Sequence, residues 1–373
     1  MIVLCGLSAL IWLWLLCFRG GFWRTWQRLP ERSAPSHWPS VGIVVPARDE
    51  ADVLPETLES LLCQDYPGPV GIVVVDDGST DGTGDIARSL SGGIPVTVIE
   101  AGPPPAGWSG KLWAVQRGVE EFPDREFLLF TDADIRHAQD SLTSLVESAV
   151  TGDYALVSQM ARLRAKSFWE RQIVPAFVYF FGMLYPFRWI NKPNSRTAAA
   201  AGGCVLLRRE VLVAAGGIAA IHQAIIDDVA LGRLIKRSGG RIWLGLAERV
   251  ESIRAYPDLG GLWRMVARSA YAQLRYSPIL LAGTVLGLLV MFVAPPAGLI
   301  AGTATGDGSV ALVGGLSWLL MAMMYVPMLR YYRQPVLRAP LLPLVALLYA
   351  AMTVDSARGS GTAWKGRADP ARR

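Results

Sequence analysis

The segment Phe127-Leu128-Leu129-Phe130-Thr131-Asp132-Ala133-Asp134-Ile135-Arg136-His137 sets an apolar run directly against two acids. Four consecutive apolar residues, Phe127 to Phe130, suit a strand buried on both faces, as in a parallel sheet. Asp132 and Asp134 follow at once, so the strand delivers two carboxylates to its own carboxyl end. Open α/β sheets bind ligands at that edge, and two acids one residue apart can both turn oxygens toward a hard divalent cation. An Asp-rich turn that merely closes a strand has the same pattern, so the flanking segments must separate the two readings.

Upstream, the chain alternates strand, polar loop and helix. Val41 to Val45 is a short apolar strand that runs into Pro46-Ala47-Arg48-Asp49-Glu50, and Leu54, Leu58, Leu61 and Leu62 recur at helical spacing after it. Ile72 to Val75 is a second strand, followed by the acidic loop Asp76-Asp77-Gly78-Ser79-Thr80-Asp81-Gly82-Thr83 and a short helix, Gly84 to Leu90, that Thr83 or Asp81 can cap. Two such units predict a parallel sheet with a nucleotide-sized crevice at its carboxyl edge. The loop has neither the Gly-Lys-Ser/Thr of a P-loop nor Gly-x-Gly-x-x-Gly. Carboxylates repel phosphates, so Asp76 and Asp77 suit a base or ribose better.

Pro103-Pro104-Pro105 and Gly107-Trp108-Ser109-Gly110-Lys111 form a shaped loop, and Lys111 opens a helix with Leu112, Val115 and Val119 on one face. A lysine at a helix amino terminus calls for an anion, which a diphosphate would supply; a solvated lysine is the alternative. Downstream, Leu142 to Val150 reads as a helix and Tyr154 to Met160 and Val205 to Leu207 as strands, with the small segment Ala198 to Cys204 open to close approach by a ligand. Ile225-Ile226-Asp227-Asp228 precedes a helix with Leu231, Leu234 and Ile235 on one face. One acid there is explained as an N-cap; two adjacent acids exceed what capping needs, and one can serve as general base.

Composition places these units beside a membrane. The chain has 373 residues, 52% of them hydrophobic, with 13 Trp and a formal net charge of +5. Its mean hydropathy is +0.32 and its pI near 9.1, which is too apolar for an ordinary soluble enzyme and suits anionic lipid or an anionic substrate. Four scattered cysteines and three histidines indicate neither a disulfide framework nor a zinc cluster. Ile2 to Phe18 is an apolar run followed by Arg19, Arg24 and Arg28, which predicts a span with these arginines in the cytoplasm; a signal peptide would need a basic region before it. Ile173 to Ile190, aromatic but broken by Pro175 and Pro186, reads equally as an interfacial segment or a core helix. Trp263 to Tyr276, with Arg264, Arg268 and Arg275, is a basic amphipathic helix suited to a membrane surface, and nucleic acid is not expected. Ile279 to Ala304 and Val310 to Leu329 are long enough to span, whereas Leu341 to Val354 is short and favours a re-entrant segment, with a fourth span as the alternative.

The ordered set Pro46-Ala47-Arg48-Asp49-Glu50, Asp76-Asp77-Gly78-Ser79-Thr80-Asp81, Gly110-Lys111, Asp132-Ala133-Asp134 and Asp227-Asp228 resembles the membrane-bound family-2 glycosyltransferases. The hopanoid-associated members are the most similar, through the Gly-Trp-Ser-Gly-Lys loop, Ala-Gly-Gly-Cys, Ile-Asp-Asp and Gln-Leu-Arg-Tyr-Ser-Pro. The resemblance implies an α/β, Rossmann-like GT-A domain with N- and C-terminal transmembrane helices. Its expected divisions are an anchor at 1–29, the catalytic domain at 40–258, an interface helix at 259–277, a transmembrane region at 278–356 and a basic tail at 357–373. It implies donor binding by Pro46, Arg48, Glu50, Asp76, Asp77, Lys111 and Asp132, with Asp77 on the base. Asp134 and Asp132 would hold Mg²⁺ or Mn²⁺, with Asp134 the direct ligand. Asp228, with Asp227 beside it, would deprotonate the acceptor. The expected partners are a nucleotide sugar, a membrane lipid acceptor and the bilayer, at a bacterial-type inner membrane with the catalytic domain cytoplasmic. The Glu-Asp frequent in the family is Asp227-Asp228 here, which leaves the base open between the two. Gln273-Leu274-Arg275-Tyr276 only loosely echoes the Gln-x-x-Arg-Trp of processive synthases, against polymer extrusion. A metal-dependent nucleotidyltransferase and a non-catalytic scaffold are the rival readings.

Overall fold

The computed structural model describes residues 1–359, and the chain falls into two compact units. Among the described residues, one unit comprises 26–164 and 189–255 and holds the sheet; the other comprises 1–25, 165–188 and 256–359 and is helical. From residue 360 onward the expected basic tail lies outside the described residues.

The sheet is built from β1 (Val41–Ala47), β2 (Val70–Asp76), β3 (Val96–Glu100), β4 (Phe127–Phe130), β5 (Ile135–His137), β6 (Leu156–Arg162), β7 (Val205–Arg208) and β8 (Ile242–Ser252). Across the sheet the order is β3-β2-β1-β4-β7-β6-β8-β5. The first four positions are parallel, as the alternating units predict. Beyond β4 the sheet is mixed: β7 reverses against β4, β6 against β7, and β5 against β8. Register then sets the site. Ala47 lies opposite Asp76 and Val44 opposite Phe130, so β1, β2 and β4 deliver Arg48, Asp77 and Thr131 to one edge. The Asp77 amide donates to the Ala47 carbonyl at 2.9 Å and the Thr131 amide to that of Val44 at 3.2 Å, which extends the ladder into both acidic loops.

Ile43, Val45, Val74 and Leu129 from the strands share one buried cluster with Leu54, Leu58 and Leu61 of helix Leu54–Leu62 and with Leu142 and Leu145 of helix Ser141–Thr151. Each such side chain contributes about 1.5–3 kcal/mol as an upper figure. The helix Asp227–Arg237 packs closely enough on the chain before β7 that a Cβ on Gly232 would lie 2.6 Å from the Ala199 carbonyl carbon. Backbone cannot yield as a flexible side chain can. Gly232→Ala is therefore expected to lower stability by about 1–3 kcal/mol, read by thermal or denaturant unfolding.

The helical unit explains one sequence irregularity in physical terms. Helix Pro278–Leu288 passes through a π-turn, Leu289–Val293, into helix Ala294–Thr305. The Met291 carbonyl finds no backbone donor at Pro295 or Pro296, which lack N–H. Instead it accepts from Trp12 Nε1 at 2.8 Å and Ser8 Oγ at 3.1 Å, both on helix Ile2–Phe18.

Among the described residues, four segments are long and apolar enough to cross a membrane by length and composition: Phe168–Ile190, Pro278–Thr305, Gly308–Tyr331 and Val336–Arg358. The last corrects the short estimate for Leu341 to Val354, because a 3₁₀ turn, Val336–Leu341, continues directly into helix Leu342–Arg358 through Pro340 and Pro343. Helix Phe168–Leu184 likewise runs unbroken through Pro175. It is a core helix of its unit: Tyr179 packs on Tyr325 and Phe180 on Phe292 and Tyr349. Its start is set by a capping box between Ser167 and Glu170.

Candidate active site

The loops after β1 and β2 are tied to one another by side-chain acceptors. Asp76 Oδ1 accepts from the Ser79 amide at 2.8 Å and its hydroxyl at 2.6 Å, and Ser79 Oγ accepts from the Asp49 amide at 3.0 Å. Asp49 Oδ1 in turn accepts from the Thr80 amide at 2.8 Å. A Cβ on Gly84 would come within 2.6 Å of Asp76 Oδ2, so a glycine lets helix Thr83–Ser89 begin against that carboxylate. The helix is not capped at Thr83 or Asp81: Gly82 holds the N-cap position, and Asp81 Oδ1 accepts the Thr83 amide from one residue further out. Asp77 is buried and faces Arg48, whose Nη1 donates to the Asp77 carbonyl at 2.7 Å and lies 3.5 Å from Oδ2.

Lys111 is the meeting point of the two acidic sites. Ser109 caps helix Gly110–Glu120 by accepting the Leu112 amide at 3.2 Å, which fixes Lys111 in its first turn. Its Nζ lies 2.8 Å from Asp132 Oδ1 and 3.1 Å from Asp227 Oδ2. Burial pulls the ammonium down, but Asp132 and Asp227 outweigh it and hold it above the usual lysine range. The anion expected from a diphosphate is here supplied by the chain's own carboxylates.

Asp134 has a different partner. Arg254, just past β8, donates from Nε to Asp134 Oδ2 at 2.7 Å, and its guanidinium also bonds Glu50. Burial pushes the Asp134 carboxyl up against the pull of Arg254. No local signal in the sequence marks Arg254, because β8 brings it to the acids only by pairing Ser252 with Ile135.

Asp227 and Asp228 are the first two residues of helix Asp227–Arg237, and Ile226 holds the N-cap position, so neither acid is the cap. Asp228 Oδ2 accepts from the Gly202 amide at 3.1 Å and Oδ1 from the Val229 amide at 2.7 Å. Burial, and then the neighbouring Asp227 charge, push the Asp228 carboxyl up to about 6. One pocket is lined by Pro46, Lys111, Asp132, Gly202, Asp227 and Asp228 together with the apolar Ile218, Ile221 and Leu231. Arg48, Glu50, Asp76, Asp77 and Asp134 are outside that lining.

Among the described residues, no group of three or more His, Cys, Asp or Glu is arranged to hold a metal. A magnesium-type cation keeps several waters and binds through one or two carboxylates plus substrate phosphates. Asp132 and Asp134 therefore fit a cation that arrives with a diphosphate, and Lys111 and Arg254 occupy their oxygens with positive charge in its place.

Residues 42–214 match the model of Glycosyl transferase family 2. The 4,4'-diaponeurosporenoate glycosyltransferase of Staphylococcus aureus (strain bovine RF122 / ET3-1) is 29% identical over 199 residues, 52% of this chain and 50% of that protein. The protein of the same name from strain MRSA252 is 29% identical over 196 residues, 51% of this chain and 49% of that protein. The chain thus spans about half the length of these curated relatives. Among solved structures, the mannosyltransferase PcManGT from Pyrobaculum calidifontis, in complex with GDP-Man and Mn²⁺, is similar with a TM-score of 0.59 at 20% identity, over 96% of this chain and 98% of that one.

Proposed function

We infer that this chain, which carries a family-2 glycosyltransferase domain of the GT-A fold, moves a sugar from a nucleotide-diphosphate donor to a membrane lipid with inversion at the anomeric carbon. The observation that supports this most is Lys111, which bridges Asp132 at 2.8 Å and Asp227 at 3.1 Å and so sets a diphosphate-binding acid beside a base-bearing helix. Displacing a nucleoside diphosphate needs charge compensation on the departing oxygens and a base on the attacking hydroxyl, on opposite sides of the reacting carbon.

Asp77, Asp76 and Arg48 receive the nucleoside at the carboxyl edge of β1 and β2. Lys111 moves from carboxylate to diphosphate, and Pro46 closes the floor beneath it. Asp134 and Asp132 would hold Mg²⁺ or Mn²⁺, which when bound stabilises the negative charge of the departing diphosphate. Asp228 takes the proton from the acceptor hydroxyl, and Gly202 keeps its carboxylate aimed into the pocket. The apolar helices support a lipid acceptor reached at the membrane, and Arg19, Arg24 and Arg28 after the first apolar helix support a cytoplasmic catalytic unit in a bacterial-type inner membrane. Within this reading the donor is a UDP-sugar and the acceptor the hydroxyl of a hopanoid-related lipid; the alternative acceptor, a polyprenyl phosphate, would attack through a phosphate oxygen already ionised at neutral pH and would need no base.

The test is transfer by the purified chain in lipid nanodiscs, with radiolabelled UDP-glucose, UDP-N-acetylglucosamine and GDP-mannose and total bacterial lipid. Label is expected in the organic phase with release of nucleoside diphosphate. Release of sugar 1-phosphate instead, with the nucleotidyl group carried to another acceptor, would establish nucleotidyl transfer and overturn the reading. Excess EDTA is expected to stop the reaction and Mg²⁺ or Mn²⁺ to restore it, because the only acids assigned to the diphosphate are hard oxygen donors. Full turnover in EDTA would contradict the metal assignment.

A further inference from the structure

We propose that His137 is a positioning residue that staples the acid turn shut and ties it, through the Thr131 hydroxyl, to the glycine loop that holds Asp228. The proposal rests on the glycosyl-transfer reading and adds a residue that reading does not use. Thr131 and His137 bracket the turn that carries Asp132 and Asp134. His137, Thr131 and Ser141 are all buried. Thr131 Oγ1 lies 3.0 Å from the Gly203 carbonyl and 2.9 Å from His137 Nε2. A hydroxyl has one hydrogen, and a carbonyl can only accept it. Thr131 therefore donates to Gly203, and His137 Nε2–H must donate to Thr131.

This fixes the whole imidazole. Its Nδ1 is bare and accepts from Ser141 Oγ at 3.3 Å, while the His137 amide is held by Ser60 Oγ at 3.1 Å. Burial keeps the ring neutral, pushing it down to about 4, so the tautomer persists at neutral pH. Gly203 follows Gly202, whose amide donates to Asp228 Oδ2 at 3.1 Å. One imidazole hydrogen thus orders a path from the diphosphate acids to the base: His137 to Thr131, Thr131 to the Gly203 carbonyl, and Gly202 to Asp228. A residue acting this way sets the geometry of both acidic sites without touching substrate.

Nitrogen NMR of the histidine-labelled chain reads the tautomer directly, since the chain has only three histidines and His137→Gln identifies the signal. A neutral, Nε2-protonated ring is expected across the neutral range; an Nδ1-protonated or charged ring overturns the proposal. His137→Gln keeps a donor near the Nε2 position, whereas His137→Phe and the near-isosteric Thr131→Val remove the link. In Phe and Val variants whose thermal unfolding shows them folded, turnover and the affinity for Mn²⁺ with UDP or GDP are expected to fall about 10-fold to 100-fold, and His137→Gln to recover most of both. Combining His137→Phe with Thr131→Val should cost little more than either alone. Wild-type behaviour of Thr131→Val, or equal loss in Gln and Phe, overturns the link. Tautomer and nucleotide binding need no turnover, so a wild-type chain that transfers no sugar overturns the proposed function while these readouts still decide the role of His137.

Discussion

Asp228→Asn is expected to lower sugar transfer by about 100-fold or more with donor affinity nearly unchanged, because a general base acts only as the acceptor proton leaves. The asparagine oxygen can keep the bond from the Gly202 amide but not also the one from the Val229 amide, and Asp228 is not the helix cap, so stability should fall by about 1 kcal/mol. The pH profile gives a second readout. Burial and the Asp227 charge raise the Asp228 carboxyl to about 6, and a base must be deprotonated to work. Transfer should therefore fall as pH drops through about 6 and hold above it. Asp227→Asn removes the neighbouring negative charge and should move that limb to lower pH. If Asp227→Asn abolishes transfer while Asp228→Asn does not, the base is Asp227.

Asp134→Asn is expected to damage binding and chemistry together. Its carboxylate is assigned to the cation on the diphosphate, which is present in the bound donor as well as in the departing group. Donor affinity and turnover should each fall, with kcat/KM lowered by about 100-fold or more. Isothermal titration with Mn²⁺ and UDP or GDP separates this variant from Asp228→Asn, for which the same titration should match wild type. A neutral residue at 134 also leaves Arg254 with Glu50 as its remaining carboxylate partner at the site, so the arginine should shift toward Glu50. Equal donor affinity in wild type and Asp134→Asn would remove Asp134 from the diphosphate site.

What could be read from the sequence was what local pattern controls. β1, β2 and β4 are buried on both faces, so each is a continuous apolar run, and each ends at the polar residues that build the site. Helix Gly110–Glu120 buries Leu112, Val115 and Val119, as their spacing predicts. β8 was missed because Ile242-Trp243-Leu244-Gly245-Leu246-Ala247-Glu248-Arg249-Val250-Glu251-Ser252 neither alternates cleanly nor stays apolar, and Arg254 was lost with it. Prolines misled in the helical unit. Pro175 reads as a break and Leu341 to Val354 as short, yet packing around Tyr179 and Phe180 carries one helix through its proline and a 3₁₀ entry at Val336–Leu341 lengthens the other. The bridge of Lys111 to both Asp132 and Asp227 joins residues far apart in the chain, and no spacing rule reveals such a contact.

The most direct measurement is the anomeric configuration of the product. In the proposed mechanism, with the diphosphate held on one side of the sugar and Asp228 acting as base on the other, the acceptor hydroxyl enters opposite the departing diphosphate in a single displacement. From an α-linked nucleotide sugar, proton NMR of the purified glycolipid should therefore show a β-linkage. An α-linked product would show that the sugar is transferred with retention and that Asp228 does not act as the base assigned to it.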